Sequence, residues 1–162
     1  MIISSEDLSL AGEYAVASEL CRRGDYAQLT LGHRKKTDLL VETKAAKLLR
    51  IQVKTKQGEA WPLIKGICGN NIILVFVDYE NKNLDQRPDF YILNPADWKN
   101  FVKHGWVGAS ISKGEYKLDD QNCPIHIDKS GEANWRGVNI EADEITKHRE
   151  KWRKIESIVK AM

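Results

Sequence analysis

Between residues 5 and 24, Leu10, Tyr14, Ala17, Leu20 and Cys21 recur at three- and four-residue spacing, which predicts a helix with one buried stripe. Ser5 or Ser9 is placed to cap its start and Gly24 to end it. The period then shortens. Strands are predicted over residues 26–31 and 37–42, and residues 48–55 alternate. Leu49, Ile51 and Val53 share one face there, while Arg50, Gln52 and Lys54 share the other. Residues 71–79 contain the unbroken apolar run Ile72 to Val77, which fits a strand buried on both faces. Residues 89–93 read as a further strand. Residues 94–104 read as a helix with Pro95 in its first turn and Gly105 just past its end. Gly58, Pro62, Gly66 and Gly69 interrupt any pattern over 56–71, and 105–137 is irregular. Ile145, His148, Trp152, Ile155 and Val159 then predict a long terminal helix over 141–162.

The alternation of helices and strands predicts an α/β fold, a mixed central sheet flanked by helices. The 162 residues fit one domain, 1–162, with no internal repeat or linker. With 42% apolar and 30% charged residues the chain has the balance of a soluble globule. The net charge of +2 neither establishes nor excludes a polyanionic partner, because steering depends on where charge sits. Cys21, Cys68 and Cys123 are far apart and odd in number, so neither a zinc site nor a disulfide framework is indicated. Cys21, on the helical stripe, reads as a small core residue. Glu6 and Asp7 do not fit a signal peptide, and no apolar run approaches the ~20 residues that span a bilayer. The expected address is the cytoplasm, with no membrane contact.

Three polar positions stand out. Glu13 lies on the helical stripe, where an unpartnered ionised carboxylate is costly; a place at the stripe's edge, or a basic partner, is the alternative. Asp38 opens an otherwise apolar strand, where aspartate is disfavoured unless it bonds nearby backbone. Gln52 and Lys54 share a strand face, which a solvent-facing polar row would also produce.

Taken together they form an order. The helix from Gly12-Glu13 to Gly24, then Asp38-Leu39-Leu40-Val41, then Gln52-Val53-Lys54 resembles the PD-(D/E)XK nuclease superfamily. It is most similar to the branch of archaeal Holliday-junction resolvases and small bacterial endonuclease-like proteins. There a "GE..A...L...G" helix precedes "D-apolar-apolar" and "(E/Q)xK" strands. The match spans residues 9–57. The resemblance implies a restriction-endonuclease-like core and a metal-dependent DNA endonuclease using Mg2+ or Mn2+. Asp38 would be the central metal ligand, and Gln52 would add its amide oxygen. Val53 would add its backbone carbonyl, and Glu13 would bind directly or through a water. Lys54 would stand beside the attacking water. Glutamate is commoner than glutamine at the position of Gln52, and the amide removes one negative charge from such a site. The alternative is a nuclease-like fold without catalysis, binding nucleic acid or protein.

DNA is the expected partner. His33, Arg34, Lys35 and Lys36, just before Asp38, and Lys56 on the next strand are placed for phosphate contacts; a solvated charge run is the bland reading. Cys123 and His126 lack a second ligand pair. Trp98, Trp106, Trp135 and Trp152 read as core or interface packing, and the face carrying Trp152 leaves a homodimer contact open.

Overall fold

The computed structural model describes residues 3–30 and 37–161. Helix α1, Ser5–Arg22, is capped by Ser4, whose hydroxyl accepts the Asp7 N–H at 3.1 Å. The acidic residues Glu6 and Asp7 sit at its positive end. Gly24, at φ +87°, supplies the left-handed turn that ends it.

A five-stranded sheet follows, built from β1 (Tyr26–Leu29), β2 (Leu39–Glu42), β3 (Leu48–Lys56), β5 (Ile72–Asp78) and β6 (Asp89–Leu93), in the order β1-β2-β3-β5-β6. All neighbours are antiparallel except β3 and β5, which run parallel. A parallel pair needs a crossover, and here the connection carries β4, Ala60–Ile64, which pairs with β10, Val138–Glu141. Every residue of β5 is buried, as its apolar run predicts.

Two cores result, one on each face. Ile73, Val75 and Val77 meet Val16 and Leu20 of α1, together with Trp152, Ile155 and Ile158. Ile72, Leu74 and Phe76 face the other way, onto Trp61 of β4 and Trp98 of helix α2, Pro95–Lys103. Asn94 and Asp97 close α2 with a reciprocal capping box. The segment that shows no periodicity in sequence is structured: helix α3, Gly105–Ser112, and a small sheet of β7 (Tyr116–Leu118), β8 (Pro124–Ile127) and β9 (Ala133–Arg136). Strands this short cannot display a period.

Several sequence expectations shift. The buried face of α1 carries Gly12, Val16, Ala17, Glu19 and Leu20. Leu10 and Tyr14 are 45% and 60% exposed, and Cys21 is exposed as well, not a core residue. Two apolar sets wind around this helix, and only the sheet beneath it selects one. The C-terminal helix is present over a shorter span. A 3-10 turn, Asp143–His148, comes first, Glu150 takes φ +54°, and helix α4 runs Arg153–Ala161. Ile145 therefore joins the core under α2, while Trp152 and Ile155 join the core under α1. Residues that look like one stripe straddle the sheet. No helix among the described residues is long and apolar enough to cross a membrane.

Candidate active site

The β2–β3 ladder runs from Glu42↔Leu48 to Leu39↔Ile51. One residue further on, Asp38 still donates its N–H to the Ile51 carbonyl at 2.9 Å, and its own carbonyl accepts the Thr30 N–H at 2.9 Å. Its backbone is thus fixed on both sides. Beyond it the ladder stops, and the next β3 donor is taken by a side chain: the Val53 N–H bonds Asp38 Oδ2 at 2.6 Å. In a strand the N–H and C=O of one residue point to the same edge, so the Val53 carbonyl opens toward Asp38 too.

Burial pushes the Asp38 carboxyl above its ordinary value, although the Val53 N–H and the Lys54 charge both act to lower it. Glu13 behaves alike. Burial raises it first and the charge of Asp38 second, while Lys54 and the Ser9 hydroxyl oppose. Asp38 and Lys54 thus lie within electrostatic reach of Glu13, and Lys54 within reach of Asp38. Gln52 Oε1 is buried without a hydrogen-bond partner among the described residues. Such an orphaned acceptor costs about 1–3 kcal/mol unless something fills its place.

Glu13 reaches this corner because α1 lies unusually close to β3. A methyl group at Gly12 would come within 1.9 Å of Thr55 Oγ1, so only glycine permits the approach. The Tyr79 hydroxyl donates to the Ala11 carbonyl at 3.4 Å and ties the same turn to the end of β5. Gly12, Thr55 and Tyr79 are the supports that sequence reasoning misses. Gly12 did leave a signal, since glycine within a helix costs about 1 kcal/mol relative to alanine.

Glu13, Asp38, Gln52 and the Val53 carbonyl offer only oxygen, the donor type preferred by hard divalent cations. Two carboxylates raised by burial, and an amide oxygen with no partner among the described residues, are donors that suit such an ion. Among the described residues, no group of three or more His, Cys, Asp or Glu gathers as a metal centre. The set therefore depends on the amide and the backbone.

Of the expected phosphate contacts, His33, Arg34, Lys35 and Lys36 lie outside the described residues. Lys56 is a correction. It is 3% exposed, and its ammonium pairs with Asp78 at 2.9 Å and Glu80 at 2.5 Å over the ring of Trp61. A cation enclosed in this way is spent inside the fold and does not reach a phosphate. Lys54 makes no salt bridge among the described residues, in contrast to its neighbour.

No protein-family profile matches the sequence, and no curated protein matches it. Among solved structures the chain is similar to a bacterial homing endonuclease, I-Ssp6803I, with a TM-score of 0.51 and 19% identity. The likeness covers 98% of this chain and 96% of that one. At this identity it is a likeness of fold. The chain has a restriction-endonuclease-like architecture, a mixed central sheet flanked by helices, with a helix at its C-terminal end.

Proposed function

We propose that this chain is a metal-dependent DNA endonuclease of the PD-(D/E)XK type, working through Glu13, Asp38, Gln52 and Lys54. What supports the reading most is that the carboxyls of Glu13 and Asp38 are both raised by burial and both feel the charge of Lys54, while Gln52 Oε1, two residues before Lys54, is buried with no hydrogen-bond partner among the described residues. Asp38, Glu13, Gln52 Oε1 and the Val53 carbonyl would hold a Mg2+ or Mn2+ ion. Bound there, the ion supplies Lewis acidity and makes a coordinated water more acidic. Asp38 is oriented by the Val53 N–H, so its second oxygen is left for a ligand. Glu13 contributes the second negative charge that a glutamine at position 52 does not. Lys54 offers its ammonium to the oxygens of the scissile phosphate, where negative charge grows as water attacks. The fold's likeness to a homing endonuclease supports DNA as substrate, while the sequence motifs favour the junction-resolving and small-endonuclease branch.

A second reading has its own observation. Gln52 leaves the site one charge short of the commoner pattern, as a binding module that has lost catalysis would be.

The deciding experiment is cleavage of supercoiled, linear, single-stranded and branched DNA with Mg2+ or Mn2+, comparing wild type with Asp38→Ala and Lys54→Ala. Cleavage that both substitutions abolish supports the nuclease, and the preferred DNA shape separates the branches. DNA binding without cleavage of any substrate, unchanged by either substitution, supports the binding module instead.

A further inference from the structure

A second concave site lies where α3, β7, β9 and the β4–β10 pair meet the 3-10 turn. It is a cavity of about 570 Å³ that shares no residue with the candidate active site. Its walls are aromatic: Trp106, Tyr116 and Trp135 line it. Trp106 and Trp135 are 42% and 41% exposed. The rings are ordered among themselves. Trp135 stacks on His126 with centroids 3.7 Å apart, and Tyr116 meets His126 edge-on at 5.2 Å and Trp106 edge-on at 6.2 Å.

The rest of the lining is acidic. Glu144 is anchored, accepting the Trp106 indole N–H and, at 2.7 Å, the Glu141 backbone N–H. The carboxylates of Glu141 and Asp143 have no hydrogen-bond or ion-pair partner among the described residues, and no lysine or arginine lines the cavity. One lining residue has a strained backbone. Leu63 holds φ +50° and is held there by its N–H bond to Asn139 Oδ1 at 3.0 Å, beside an irregularity in the β4–β10 register. Strain of this kind persists where surrounding structure enforces it, and it clusters at ligand sites.

We propose that this cavity docks a basic segment of a partner protein, with an arginine side chain laid against the exposed indoles and its charge met by Glu141 and Asp143. Aromatic faces attract a guanidinium through their electron-rich centres, and carboxylates bond its planar edge. Three carboxylates without a cation repel the phosphates of DNA, so the cavity is not an extension of a DNA-binding surface. A purely apolar occupant would strip water from two unpaired carboxylates for no return.

The test is calorimetric titration of the full chain with a capped peptide of alternating arginine and alanine, and with the same peptide carrying citrulline for arginine. The expected result is saturable 1:1 binding that weakens at least tenfold with citrulline, with Trp135→Ala and with Glu141→Gln/Asp143→Asn, but not with Asp38→Asn. The double acid variant touches only unpaired exposed groups and keeps the test valid should Trp135→Ala fold poorly. Equal affinity for the citrulline peptide, absence of binding, or binding that survives the double variant would overturn the proposal. Duplex DNA displacing the peptide from the wild type but not from the Asp38→Asn variant would overturn it as well, by placing the peptide at the other site.

Discussion

Glu13 and Glu19 stand six residues apart on the same helix and live in opposite electrostatic worlds. Glu19 is buried, but Arg22, Arg23 and Arg87 all reach it, with Arg22 at 3.1 Å and Arg87 at 2.9 Å. Arg87 also bonds Glu150 at 2.7 Å, and Arg23 lies over Trp152, so the cluster ties the end of α1 to the C-terminal segment. The Arg87 and Arg23 guanidiniums hold the Glu19 carboxyl down at about 2 against its burial. Glu13 and Asp38 go the other way. Burial raises both, the charge of Lys54 only partly opposes it, and among the described residues Gln52 Oε1 has no partner. A structural ion cluster uses up its charge, whereas the corner at Asp38 leaves charge and lone pairs over for a ligand. That contrast separates the two acids better than burial does, since the more buried one is the structural one.

The largest expected effect breaks the unsatisfied corner. Asp38→Asn should lower DNA cleavage by at least ~100-fold, by analogy with loss of one transition-state-stabilising group. The amide keeps an acceptor for the Val53 N–H, so melting measured in chelator should give a Tm at or above that of wild type. A clear loss of stability would make Asp38 structural. Glu19→Gln should do the reverse. Leaving three arginines without their buried partner costs about 3 kcal/mol, or roughly 6–12 °C in Tm for a chain of this size. Cleavage per folded molecule should stay at the wild-type rate.

Gly12→Ala probes the link between the two regions. A methyl group forced against Thr55 should cost about 1–3 kcal/mol and slow cleavage by displacing Glu13. Thr55→Ala in the same chain should recover part of both losses, and cleavage that ignores Gly12→Ala would uncouple Glu13 from the chemistry.

The smallest effect is in acid. Glu19, held at about 2, adds stability that is full above the ordinary carboxylate value of 4.5 and is lost as pH falls toward 2. His148 adds to this. Burial and the Lys154 ammonium, 2.5 Å away, hold it down at about 4, so its share is full above 6.5 and is lost as pH falls through 4. Asp38 and Glu13, raised in the fold, have the opposite sign and gain stability as they take up protons. Denaturant titrations across pH should therefore show the advantage of wild type over Glu19→Gln shrinking below pH 4.5. Any advantage of Asp38→Asn over wild type should shrink over the acid range as well. Parallel curves for all three proteins would remove the contrast.

Much of the strand framework was legible in the chain because β3 and β5 carry long, unambiguous patterns: alternation in one, an unbroken apolar run in the other. The positions of Asp38, Gln52 and Lys54 could be read for the same reason, since period-two alternation fixes a face from sequence alone. Glu13 was singled out for a stripe that proved to be rotated. Leu10 and Tyr14 point to solvent, and it is the close approach at Gly12 that sets the turn carrying Glu13 against β3. The short strands β4 and β7 to β9 gave no signal, because three to five residues hold too little period to stand out from loops.

Local pattern, then, determined which segments extend or coil and which polar residues interrupt apolar elements, for these depend on neighbours within a few residues. Tertiary structure decided which of two apolar helix faces is buried and that Ile145 and Trp152, which look like one stripe, enter cores on opposite faces of the sheet. It also decided that Lys56 is enclosed by Asp78 and Glu80, while Lys54, two residues earlier, makes no salt bridge among the described residues. Those outcomes turn on contacts between residues far apart in the chain. Burial and charge pairing are properties of the assembled surroundings, and no spacing along the sequence records them.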